Sequence, residues 1–265
     1  MNVTTIILLL ALYISTIAPA AYDSSSSCEN SSQLKHLSKS EEADDILACE
    51  DLQCEGLFRS KEAEFGNCIT IIGTPIYILG KSRIGSGCTL YPFSVIKDCI
   101  LEENTTVLPN CVLENSTFKS NSKIGPFAYV SEGSVIEEGA VIGAFVQVKR
   151  SVVGAGTKAQ HLTYLGDAHT GKNVNIGGGT ITCNYNGVSK SKTIINDHAL
   201  IGSNNSLVAP VTIGNGAMTA AGSTITEDVP DDSLAIARSK QTNKPQYASK
   251  LLAKFRALKE QKKDA

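Results

Sequence analysis

The chain has no tryptophan, two methionines and an aromatic content of only 6%. Frequent glycine and abundant β-branched residues take their place, a composition that suits short repeated strands and tight corners better than a helical bundle. An excess of either charge is also missing. With 24 Lys and Arg against 26 Asp and Glu, the formal net charge is −2, which gives no case for nucleic acid as a partner. The charge is uneven: residues 23–64 are acidic, and the tail after Arg238 is lysine-rich. No apolar run reaches membrane-spanning length, since Ile6 to Ile17 covers about a dozen residues. Ala18-Pro19-Ala20 offers an A-x-A cleavage pattern, but no Lys or Arg precedes the run. Residues 1–22 are therefore read as a signal-like or anchor segment.

Metal-ligand spacing is absent as well. Cys49 and Cys54, with Cys28 and Cys68 scattered around them, do not fit a zinc site, and His161 with His169 does not make one. The eight cysteines are expected to be free thiols. Cys88 and Cys111 fall on a small-residue position of the repeat described next, where a thiol is a compact filler.

From about Ile69, apolar residues recur every six positions. Ile124, Val130, Ile136, Ile142 and Val148 keep this period without a slip, as do Ile195, Ile201, Leu207, Ile213, Thr219 and Ile225. Six is neither a helical period nor a strand alternation; it is the hexapeptide repeat of a β-helix. Each hexad forms one side of a triangular coil, so roughly eighteen residues complete a turn. Residues 69–237 are expected to form this domain, with about nine coils over residues 69–229 stacked at about 4.8 Å and held by aliphatic ladders and inter-coil backbone bonds.

Before this lies an acidic linker, residues 23–68. Within it Ser38 and Glu41 suggest a capped helix over Glu41–Leu52. After it comes a basic tail, residues 238–265. There Ala248, Leu251, Leu252, Phe255 and Leu258 mark one face of a helix expected to cover the coils. Between Thr182 and Ile195 the period breaks, and CNYNGVSKSK must leave the coil as a loop turning at Asn186-Gly187.

Polar chemistry concentrates at Gln160–Asn186, where two histidines, two tyrosines and four asparagines stand among small residues. His161 differs from a structural histidine because Thr163, Tyr164, Asn175 and Lys149 cluster with it on an otherwise regular wall. An imidazole titrating near neutrality can take a proton from an attacking amine.

The stretches HLTYLGD, NVNIGGGTITCNYNG and LAIARSKQTNK resemble the acetyltransferase domain of the bifunctional enzyme that makes UDP-N-acetylglucosamine. That enzyme joins glucosamine-1-phosphate N-acetyltransferase to N-acetylglucosamine-1-phosphate uridyltransferase. The resemblance runs from about Ile84 to Lys244. It implies an all-β fold, a left-handed parallel β-helix with a short C-terminal helix, assembled as a homotrimer with sites between neighbouring chains. It implies acetyl-CoA as donor, glucosamine 1-phosphate as acceptor, and a product used for UDP-N-acetylglucosamine and cell-envelope synthesis.

Carried over by position, His161 resembles the general base, and Lys149, Tyr164, Asn175 and Lys190 resemble the sugar-phosphate contacts. Asn184 and Tyr185 resemble residues facing the acetyl thioester. Gly178, Ser203, Ala221 and Arg238 resemble positions along the coenzyme groove. Two residues depart from the pattern: Ser131 stands where the family has Arg, and Gln147 where it has Glu. Gln147 is expected to orient His161 by a hydrogen bond.

The nucleotide-binding domain with its L-x-x-G-x-G-T-R-M loop is missing, so no uridyltransferase activity is expected and a separate enzyme must supply that step. Two other readings remain: an N-acetyltransferase for another amino sugar, favoured by Ser131, and a catalytically silent β-helix scaffold. Because acetyl-CoA is mainly intracellular, the expected compartment is the cytoplasm.

Overall fold

The computed structural model describes residues 46–48 and 57–261. From Leu57 onward the chain winds through three sheets in turn, which we term the first, second and third walls. The first wall starts at Leu57–Ser60, the second at Glu64–Phe65 and the third at Thr70–Ile71. From these starts they contain ten, nine and ten strands respectively. Pairing between coils is parallel throughout, so the parallel β-helix expected from the hexads is what the chain builds.

The register shows why the hexads work. On the first wall Ile78, Ile96, Leu113, Val130, Val148 and Leu165 stand one above the other, each fully buried. Leu90, Val107, Ile124, Ile142 and Ala159 do the same on the third wall. Ile84, Leu101, Phe118, Ile136 and Val153 fill the second. A parallel ladder of this kind removes like side chains from water in every coil, at roughly 25 cal/mol per Å² of apolar surface.

Cys88, Cys99 and Cys111 sit just before strands of the third, second and first walls, buried and free. Burial pushes the Cys99 thiol up to about 12 and the Cys111 thiol up to about 11, so both act as packing and not as nucleophiles. Cys68 is disulfide-bonded, contrary to the expectation that all cysteines are free.

Three boundaries differ from the sequence reading. Parallel coils begin at Leu57 and not at Ile69, because Leu57–Ser60 pairs in register with Ile76–Leu79. Within the segment expected to be helical, Ile46–Ala48 is a strand. It runs antiparallel to Leu57–Ser60 and covers the edge that the first coil would otherwise expose. The helix Tyr247–Gln261 forms, but none of its residues is buried, and Leu252 and Phe255 are 54% and 55% exposed. In the single chain it does not cover the coils. Residues 1–45 of the signal-like and linker segments lie outside the described residues.

Candidate active site

Two columns of side chains carry the candidate chemistry, at the two edges of the first wall. The first column follows the corner where the third wall turns into the first. His161 ends the strand Lys158–His161 and is in register with Ala144 below it. The same register places Gly178, Ser203 and Ala221 successively above it. Three coil steps at about 4.8 Å make this track about 14 Å long.

The residues above His161 are small and accessible, and Gly178 lies directly against it. A Cβ there would stand 3.3 Å from the His161 Cβ and 3.5 Å from its carbonyl oxygen. Arg238 lies beyond the top of the track. The segment before it is tied down where the Ala237 N–H donates to Ser223 Oγ at 3.1 Å and the Ala237 carbonyl accepts from Thr224 at 3.1 Å. Thr163 Oγ1 donates to the His161 carbonyl at 2.7 Å, fixing the turn that presents the ring.

The second column follows the corner between the first and second walls, where Glu132, Arg150 and Asp167 succeed one another coil by coil. Arg150 grips Asp167 through two parallel bonds, Nε to Oδ1 at 2.8 Å and Nη2 to Oδ2 at 3.0 Å. It also bonds Glu132. Lys149, on the same wall, places its Nζ 2.6 Å from Glu132 Oε1. Asn184 Nδ2 donates to Asp167 and reaches Tyr164 Oη at 3.5 Å.

Tyr164 lies along the wall because residue 166 is glycine; a Cβ there would fall 2.3 Å from Tyr164 Oη. The charges are mutually stabilised. Hydrogen bonding from Lys149, then from Arg150, holds the Glu132 carboxyl below its ordinary range. Arg150 does the same for Asp167 most strongly, with help from Asn184 and Lys190. Lys149 is raised in turn, chiefly by its bond to Glu132.

The loop expected after Thr182 is present. Register from Asn175 to Leu200 spans 25 residues, against 17 from Lys158 to Asn175. Tyr185 and Lys190 bridge antiparallel, and Asn186 Oδ1 accepts the N–H groups of Val188 and Ser189 at 2.9 and 2.8 Å to close the turn. Its base is fastened to its own chain, with Asn184 only 8% exposed, while Tyr185 is 60% exposed.

The fold therefore brings Lys149, Tyr164 and Asn184 together, with Lys190 close enough to stabilise Asp167. Separately, it aligns His161, Gly178, Ser203 and Ala221. Asn175 joins neither group in the single chain, because it stands on the third wall between Lys158 and Leu200. Gln147 does not orient His161. It belongs to the column Tyr129, Gln147, Tyr164, whereas His161 follows Ala144, and no hydrogen bond joins the two.

Ser131 is 2% exposed and its Oγ has no partner, so it is no surface contact for an anion. Glu132, Arg150, Asp167 and Gly166 were missed as site residues. The intervals from 132 to 150 to 167 are 18 and 17, one coil each, and would have stacked them. No group of three or more potential metal ligands occurs among the described residues.

No protein-family model matches the chain. It is similar to the bifunctional protein GlmU of Thermodesulfovibrio yellowstonii, 52% identical over 181 residues, which are 68% of this chain and 40% of that one. The same-named proteins of Carboxydothermus hydrogenoformans and Thermotoga maritima are 49% and 48% identical over 67% and 68% of this chain. The chain thus spans about 40% of the length of these relatives. Among solved structures, the UDP-N-acetylglucosamine acyltransferase LpxA of Bacteroides fragilis shares 18% identity, with a TM-score of 0.48 and 68% of each chain covered. The resemblance read from HLTYLGD and NVNIGGGTITCNYNG is borne out by the first set of relatives.

Proposed function

We propose that this chain transfers an acetyl group from acetyl-CoA to the amine of glucosamine 1-phosphate, giving N-acetylglucosamine 1-phosphate and free coenzyme A. The observation that carries the reading is the aligned track His161, Gly178, Ser203, Ala221 at one corner, in a chain about half identical to GlmU over its coils. An extended thioester would lie along this track with its acyl end at His161 and its phosphates toward Arg238, a planar donor suited to them.

His161 would accept a proton from the sugar amine as the nitrogen attacks the thioester carbonyl. The tetrahedral oxyanion would be held by N–H donors, and its collapse would expel the coenzyme thiolate, which takes up a proton. Tyr185 would face the thioester from the loop. Lys149, Tyr164, Asn175 and Lys190 would bind the sugar phosphate.

Since Asn175 stands away from this cluster in the single chain, a site that uses it needs more than one chain, and we take the assembly to be a homotrimer. The exposed stack of Phe127 on Phe145 at 5.1 Å, continued by Leu162 beside His161, supports such burial. A cytoplasmic location follows from the donor. The Cys68 disulfide argues for an oxidising compartment instead, and alkylation of Cys68 in extracts of the native source decides between them. No described helix is long and apolar enough to cross a membrane.

The test is thiol release from acetyl-CoA on adding glucosamine 1-phosphate, with pyrophosphate release from UTP measured alongside. Sugar-dependent thiol without pyrophosphate is expected. Absence of thiol release removes the reading, and sugar-dependent pyrophosphate contradicts the expectation of no uridyltransferase activity.

A further inference from the structure

Two of the three cations near the presumed acceptor site are already engaged by one carboxylate. Glu132 receives Lys149 at 2.6 Å through one oxygen and Arg150 through the other, while Arg150 is also held side-on by Asp167. Asp167 has a structural task, since it also fastens the loop base through Asn184. Glu132 fastens nothing except the two cations. Its side chain is 48% exposed, against 16% for Asp167, and so can leave. Immediately before it stands Ser131, buried and unpartnered, which contributes no donor to an anion.

We infer that Glu132 is a specificity-determining residue for the acceptor. It competes with the substrate phosphate for Lys149 and Arg150, so that a phosphorylated amino sugar binds only by displacing it. An amino sugar with a hydroxyl at that position meets no such competition. This rests on the reading of the site as an amino-sugar acceptor site. The physical basis is that a carboxylate and a phosphate cannot both take the short charge-assisted bond of one ammonium without mutual repulsion. Glutamine at 132 keeps the length and polarity of the side chain while removing the charge.

Calorimetric titration of glucosamine 1-phosphate and of glucosamine into the intact chain and into Glu132→Gln tests this without requiring turnover. The variant is expected to bind the sugar phosphate about ten- to a hundredfold more tightly, the scale of one charge-assisted hydrogen bond. Glucosamine is expected to bind both proteins within about twofold, well inside one decade of affinity. In a Lys149→Met background the gain from Glu132→Gln should shrink to the part carried by Arg150.

Equal affinity of both proteins for the sugar phosphate overturns the inference, as does no detectable binding to either. A gain undiminished by Lys149→Met also overturns it, because it would reflect net charge alone. Thiol release measured on the same samples reports separately on the acetyl-transfer reading. A tighter complex without turnover would uphold Glu132 and remove the catalysis.

Discussion

The coils below Gly139 and the coils above it are filled differently. Below, the central inward position of each wall is aliphatic or aromatic, as in Ile84, Leu101, Phe118 and Ile136, with buried hydroxyls such as Ser94 confined to the small-residue position beside it. Above, each wall carries a buried threonine at that central position: Thr170 on the second, Thr182 on the first and Thr219 on the third. Each hydroxyl accepts the backbone N–H of a glycine one coil below, Gly154 at 2.9 Å, Gly166 at 2.8 Å and Gly202 at 3.0 Å. Two of those glycines adjoin site residues, Gly166 under Tyr164 and Gly202 beside Ser203. The upper coils give up apolar burial at these positions for a hydroxyl that bonds the backbone, although the Gly202 N–H also keeps its ladder bond to the Thr219 carbonyl at 3.1 Å.

The largest expected effect separates catalysis from architecture within the upper coils. His161→Ala should lower turnover about 10²–10⁴-fold, the usual contribution of a positioned general base. Coenzyme binding should stay nearly intact, since the ring acts on the amine. Steady-state kinetics beside coenzyme titration checks this, and turnover close to that of the unaltered chain would remove His161 from the chemistry.

Next in size is a contrast between the halves. Leu113→Ala, in a fully buried aliphatic ladder, should cost about 2–5 kcal/mol through lost transfer energy and a cavity. Thr182→Val keeps the volume but leaves the Gly166 N–H without its acceptor, and should cost about 1–3 kcal/mol. Urea denaturation measures both. If Thr182→Val is neutral or stabilising, the threonines are not there for the backbone, and the comparison loses its physical basis.

The same contrast explains what could be read from the sequence. The walls were legible because each hexad reports a local ladder contact, and the loop was legible as a break in that count. Residues 57–68 were not. Leu57 and Phe65 are ladder anchors without the Ile-Gly pairs that mark later coils. For the helix Tyr247–Gln261, periodicity gave its apolar face correctly but could not say what that face meets. Candidate residues from His161 to Ala221 could be placed along one groove only from the resemblance, because the 25-residue step from Gly178 to Ser203 breaks the period. The pairing of Lys149 with Glu132 could not, because ion pairs depend on where long side chains lie, which stacking order does not fix.

The smallest effect concerns the charge column and its counterpart below. Asp167, 16% exposed in its side chain, accepts two bonds from Arg150 and one from Asn184. Glu102, in the lower coils, accepts Lys119 at 2.7 Å with both side chains more than a third exposed. Both carboxyls are held below their ordinary range, Asp167 mainly by Arg150 and Glu102 mainly by Lys119. A carboxyl depressed in the folded state stabilises above its unfolded pKa, about 3.9 for Asp, and loses that contribution as pH falls through the lower folded value. Asp167→Asn should therefore cost about 1 kcal/mol at neutral pH, the upper end for an exposed pair because the grip is bidentate. Its stability curve should converge on that of the unaltered chain below about pH 4. Glu102→Gln should change little at any pH, since solvent screens that pair. If Asp167→Asn instead runs parallel to the unaltered chain down the whole acid limb, its cost comes from packing around Asn184. The charge column would then be no more than the lower pair is, a surface contact, and the upper coils would differ from the lower ones by their threonines alone.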